Sequence, residues 1–232
     1  MALGARPLAH AAGAGPVTVT VRALAVILGL AGLAAAQVPD ADLAAYRKAE
    51  AAAAVGTVSG RAYTERRTPD GAEHPLGGTV VVLLPRSAAL VGRLEEIKTH
   101  ARDSERAFGS AATALRQARE AYEQRLWELG VPDFVRTTVV DGGGAFSMAG
   151  LPAGSWLLIA TRSVFEARSS PKTRSRGREV FVPRQRLVGY YAVSIWLREL
   201  TLAGGGLETL DLSDRNVWFT GIVEDRVLDA GP

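Results

Sequence analysis

The sequence predicts a mainly β protein carrying one helical insertion. Short apolar runs rich in Val, Leu and Ile recur along the chain, bounded by glycine- or proline-bearing turns. Around Phe146 and Met148 the residues alternate with a period of two, as a half-buried strand requires. Between 87 and 130 the period changes to a helical 4-3 spacing. The composition is that of a folded domain: of 232 residues, 47% are hydrophobic and 22% charged. A net charge of +3 is too small to demand nucleic acid or another polyanion as partner.

In chain order, residues 1–36 read as a signal peptide. Arg22 precedes an apolar core over 23–33, and Ala34-Ala35-Ala36 offers a small-x-small cleavage site before Gln37. The apolar run, about 14 residues, is short for a hydrocarbon core roughly 30 Å thick, so an uncleaved anchor is the weaker alternative. The expectation is an exported protein, periplasmic or secreted, with no transmembrane span in the mature chain. The sequence has no cysteine, so neither a disulfide nor a lipidated cysteine is available.

Residues 37–54 are expected to form a short helical leader with Asp40 as N-cap and an alanine-rich tail. A first strand follows at Val55–Thr64, then a polar loop turning at Pro69-Asp70-Gly71. The continuous apolar run over 79–84 predicts a buried strand. Asp141-Gly142-Gly143-Gly144 is expected to be a hairpin connection, because glycine adopts positive φ without a Cβ clash. Phe146 and Met148 then share one face. Leu151-Pro152-Ala153-Gly154 suits a type I turn. Trp156 to Ala160 is apolar on both faces and predicts a strand covered on both sides. Further strands are expected at 179–182, 187–197, 206–212 and 217–223, with a tail over 225–232.

The insertion, 87–130, places apolar or small residues at Leu90, Leu94, Ile97, Ala101, Ser104, Phe108, Ala111, Leu115, Ala118, Tyr122, Leu126 and Leu129. A single helix of about 42 residues would end roughly 63 Å from its start, with too little chain left to return. A helical hairpin closes on itself. Its expected turn is Gly109-Ser110, with Ser110 capping the second helix.

The stretch VVDGGGAFSMAGLPAGSWLLI, over 139–159, has Asp141, Gly144, Phe146, Gly150-Leu151-Pro152, Gly154 and Leu158 in a distinctive order, with Thr138 ahead of it. This order resembles the carboxypeptidase regulatory-like domain, with Trp156 at that family's aromatic position. Val58-Ser59-Gly60-Arg61 and the segment from Pro75 to Val80 resemble its first two strands, and 207–212 its closing strand. The resemblance implies an Ig- or transthyretin-like antiparallel β-sandwich over 55–224, interrupted by the hairpin. It also implies an accessory, non-catalytic role, and it raises carbohydrate as a ligand.

Candidate chemistry is sparse. His10, His74 and His100 stand apart, with no second histidine or cysteine at metal-ligand spacing. There is no nucleophile elbow or phosphate loop, and no cofactor or catalytic residue is expected. Asp141, Asp211 and Asp214 could gather around calcium, or simply cap turns. Arg168, Lys172, Arg174, Arg176, Arg178, Arg184 and Arg186 form a basic stretch, either an anion-binding loop for an envelope surface or a solvated one. Tyr190, Tyr191 and Trp196, with Trp156 and Trp218, are aromatic candidates for a carbohydrate platform, or else core. The leading expectation is an envelope interaction module whose hairpin presents an adhesive seam to a partner protein or to a second copy. Carbohydrate or an anionic surface are the alternatives.

Overall fold

A computed structural model describes residues 40–66, 68, 71–168 and 185–228. The expected signal peptide, the strand at 179–182, and Lys172, Arg174, Arg176, Arg178 and Arg184 lie outside the described residues.

Two sheets pack face to face. In the first, β1 (Val55–Thr64) is central. On one edge it pairs antiparallel with β5 (Ala145–Pro152) and, beyond that, with the two-residue β2 (His74–Pro75). On its other edge β8 (Leu207–Ser213) runs parallel to it. The second sheet is antiparallel throughout. It contains β4 (Arg136–Val139), β3 (Val80–Pro85), β6 (Gly154–Ala167), β7 (Gln185–Leu202) and β9 (Phe219–Leu228), in that order across the sheet. The result is the expected β-sandwich.

Between the layers lie Val58, Ala62, Phe146, Leu151 and Leu212 from one sheet and Trp156, Leu158, Ala160 and Trp196 from the other, all buried. The alternation around Phe146 and Met148 emerges as expected, with Ala145, Ser147 and Ala149 exposed. Trp156 to Ala160 is buried throughout, because both faces of β6 are covered there. One expectation is corrected. Neither glycine turn in 139–159 closes a hairpin within a sheet. The Asp141 turn leads from β4 in one layer to β5 in the other, and Ala153 leads from β5 back to β6. Gly144, at φ +85, permits the first crossing. Its amide donates to Asp141 O at 3.0 Å, and Ala145 N donates to Asp141 Oδ1 at 2.8 Å.

The insertion is a helical hairpin, α2 (Ala88–His100) and α3 (Glu105–Glu128), as expected. Its turn is not at Gly109-Ser110. Ala101 to Ser104 make it, and Ser104 caps α3 by accepting from Ala107 N at 3.1 Å. Gly109 is inside α3, where an added Cβ would touch nothing within 4 Å. Ser110 bonds back to the carbonyls of Arg106 and Ala107 rather than capping. A solvated helical glycine is tolerated at a cost, so Gly109→Ala is expected to stabilise the protein by about 0.5–1 kcal/mol. A urea midpoint that fails to rise would contradict this placement.

The seam is also redirected. Leu90, Leu94, Ala111, Ala112, Leu115 and Leu126 are buried, and α3 lies against β9 as well as α2. The hairpin therefore lays most of this seam on the outer face of the five-stranded sheet instead of projecting it as an adhesive stripe, and of its large apolar members only Phe108 and Leu129 stay exposed. Tyr122 ties it down, its hydroxyl donating to Pro85 O at 3.0 Å. Burial pushes this phenol's pKa up.

The leader helix, α1 (Leu43–Ala51), is capped by Asp42, not Asp40. Asp40 reaches the insertion instead. Its Oδ2 accepts from Ala88 N at 2.8 Å and Ala89 N at 3.2 Å, while Ser87 Oγ accepts from Leu90 N at 3.1 Å. Three of the amides left open at the start of α2 are thus satisfied. Burial opposes ionisation of Asp40, but hydrogen bonds from Ser87, Ala89 and Ala88 outweigh it and lower its pKa. Asp40→Ala is expected to cost about 1 kcal/mol at neutral pH. Because the folded pKa is the lower one, the carboxylate's contribution is complete above the unfolded value and fades as pH falls through the folded value. The gap in Tm between the two proteins should therefore narrow as pH falls below about 4, the ordinary aspartate value. A constant gap would exclude the charged cap.

Candidate binding cleft

The outer face of the five-stranded sheet and the hairpin above it do not close completely. They leave a cavity of about 300 Å³. Its floor comes from alternate residues of two paired strands, Ile159, Thr161 and Ser163 on β6 and Tyr191, Val193, Ile195 and Leu197 on β7, with Val223 of β9 beside them. Leu94 of α2 and Ala112, Leu115, Arg116 and Arg119 of α3 form the roof.

Trp218 makes one wall and is anchored through both its backbone and its side chain. Its backbone amide donates to Ile195 O at 2.9 Å, and its indole Nε1 donates to Glu95 Oε1 at 2.8 Å. Lys98 sits 4.6 Å from the ring centroid, while its ammonium also pairs with Glu95 at 3.4 Å. α2 is thereby clamped to the start of β9. On α3, Arg119 pairs with Glu123 at 2.9 Å, and Arg116 pairs with Glu120 at 3.5 Å. Burial raises the pKa of Glu123, against the pull of Arg119.

The candidates from the sequence fall into three groups. Tyr190 and Tyr191 split between faces, as adjacent strand residues must. Tyr191 reaches the mouth of the cleft and meets Phe165, its cross-strand partner, at a centroid distance of 5.2 Å and a 57° tilt. Tyr190 lies on the opposite face. Its hydroxyl bonds to Glu166, which pushes its pKa up, and the Arg168 guanidinium stands 5.9 Å from its ring. Trp196 is core, with its indole donating to Ser213 O at 2.8 Å across the sandwich. Trp156 is core too, donating to Pro152 O at 3.0 Å. Neither tryptophan can be a platform. Arg186 belongs to β7, at the end beyond the cleft.

Two of the three carboxylates proposed for calcium bind backbone amides instead. Asp141 holds its own turn, and Asp214 Oδ1 accepts from Glu65 N at 2.8 Å. Among the described residues no group of three His, Asp or Glu side chains is placed to hold a metal ion. No described helix is long and apolar enough to cross a membrane.

Sequence reading missed Arg116 and Arg119 as cleft residues, and Phe165 as the neighbour of Tyr191 beside its mouth. A trace was present in β6, where the alternate residues Ile159, Thr161, Ser163 drift from apolar to polar along one face.

No family model matches this chain, and no curated protein matches it. Among solved structures, a proposed carbohydrate-binding protein from Pseudomonas aeruginosa aligns at 16% identity and TM-score 0.35, over 68% of this chain and 88% of that one. The pilus backbone protein of Streptococcus pneumoniae aligns at 14% identity and TM-score 0.19, over 46% of this chain and 30% of that one. At such scores neither alignment bears on function.

Proposed function

We propose that the protein is an exported, non-catalytic accessory module of the cell envelope, of the carboxypeptidase regulatory-like kind, which works by binding. The signal-peptide pattern over 1–36 supports export, and the motif over 139–159 within a sandwich supports the kinship. The observation that carries the binding role is the cleft. It is concave and apolar, with a few hydroxyls and guanidiniums at its edge, the usual make-up of a ligand site. Arg119 is closely paired with Glu123 at 2.9 Å, whereas the more exposed Arg116 holds Glu120 only at 3.5 Å. With its seam turned inward, the hairpin serves as the roof of this site. Hydroxyl-radical footprinting tests the reading. Tyr191 and Trp218 should be protected by envelope extract and not by cytosolic extract, and protein from the exported fraction should begin at Gln37. Equal protection by both extracts, or a cytoplasmic protein that keeps its first 36 residues, would end it.

A second reading, carbohydrate binding, is favoured by the exposed Phe165–Tyr191 pair. At 57° the rings form a corner, so a sugar would stack on one of them only. A glycan array that retains nothing removes this reading. The anionic-surface alternative rests on the basic stretch, of which Arg168 and, in β7, Arg186 fall within the described residues. Neutralising Arg174, Arg176, Arg178 and Arg184 should then release the protein from anionic vesicles at low salt.

A further inference from the structure

The floor of the cleft is graded. On its one face, three cross-strand steps separate the Ile159–Leu197 pair from the Phe165–Tyr191 pair. Exposure is 5% and 9% at the first pair and 45% and 40% at the last. Thr161 and Ser163, between them, add hydroxyls only toward the open end. Six residues of strand make this a trough about 20 Å long. Its inner end, with Leu94 and Leu115 overhead, is floored by aliphatic side chains, and the guanidinium on the next turn of α3, Arg119, is already paired with Glu123 at 2.9 Å. A sugar pushed there would leave its hydroxyls unpaired at a cost of several kcal/mol, about 2–7 each. A hydrocarbon chain would gain by entering.

The charge at the rim can also be placed. Ala112 packs on Gly221, the ladder partner of Val193, so α3 crosses the trough near its mouth. Arg116 stands one turn further along on the same side. It is more than half exposed, and its ion pair to Glu120, at 3.5 Å, is long and solvated. A guanidinium in that state is available to an anionic head.

We propose that the trough binds a single-chain anionic amphiphile, its hydrocarbon tail inward against Ile159 and Leu197 and its head at Ser163, Tyr191 and Arg116. This rests on the reading of the cleft as a binding site and names the ligand's chemistry. A free fatty acid and a lysophospholipid share that chemistry.

The test is displacement of dansyl-undecanoate from the purified protein, below micellar concentrations. Octanoate, decanoate and dodecanoate should compete with affinity rising by up to about fourfold per methylene. Lauroyl-lysophosphatidylglycerol forms a parallel arm, and whichever of the two competes more tightly identifies the source. Val193→Trp, which fills the trough, should weaken binding at least tenfold. Should that variant not melt cooperatively, Ser163→Trp at the mouth should produce the same loss. Arg116→Gln should weaken dodecanoate several-fold and leave dodecanol unchanged. No uptake of the probe, no dependence on chain length, or binding untouched by the filling variants overturns the proposal. So does an equal loss of acid and alcohol in Arg116→Gln. If the amphiphiles fail while envelope extract still protects Tyr191 and Trp218, this inference falls and the binding-module reading stands. If both fail, both fall.

Discussion

Gly60→Val should abolish cooperative unfolding altogether, and Gly60→Ala should cost about 3 kcal/mol, at the upper end of what overpacking usually causes. Gly60 lies in β1 with a strand on each edge, opposite Phe146 of β5 and Leu210 of β8. A Cβ there would stand 2.1 Å from the Leu210 carbonyl oxygen and 2.5 Å from the Phe146 ring. The ring could move, but the carbonyl belongs to backbone already engaged in the ladder. Relief would require β8 to shift away from β1, which opens the closing edge of the first sheet. Urea unfolding is the measurement. A loss under about 1 kcal/mol for alanine would show that β8 can shift, contrary to the packing described.

Trp156→Ala should be of similar size, about 3–5 kcal/mol for removal of a large buried aromatic. Trp156 is completely buried, and its ring meets Tyr46 edge-on at 5.1 Å and 87°. Tyr46 is the buried residue of α1, and its hydroxyl bonds to Ser155 O. The same substitution should therefore loosen α1. Amide exchange over 43–51 should accelerate more than exchange in β7, beyond what the global loss of stability explains. If the two regions respond alike, α1 is held by Phe134 and Arg47 contacts rather than by Trp156.

These two sites illustrate what the sequence made legible. β1 was readable to its ends, and so was the doubly buried run from Trp156, because burial on one face or two leaves a direct imprint on local periodicity. The helical hairpin was readable from chain closure, since Leu83 and Arg136 must meet as ladder partners. Its turn was not. Gly109 looked like the stronger breaker, but a glycine in solvent weakens a helix without ending it. Ser104, an ordinary polar residue, begins α3 through a single side-chain bond, just after α2 has ended at Ala101. The Asp141 turn was misassigned for another reason. A hairpin and a crossing between layers use the same glycine chemistry, and only the choice of partner strand tells them apart. Asp40 capping a helix 48 positions away, and the cleft itself, are long-range outcomes with no local signature.

Pro85 and Arg136, where the insertion leaves and rejoins the sheet, stand at neighbouring strand ends, so the excursion takes no rung from the ladder. The trough accordingly has two separable halves. Its floor belongs to strands that the sandwich needs in any case. Its roof is a contiguous stretch, Ala88–His100 and Glu105–Glu128, contributed by one loop. Ligand preference can therefore drift, or be redesigned, by rewriting that one stretch of helix while the scaffold beneath keeps every strand pairing it has.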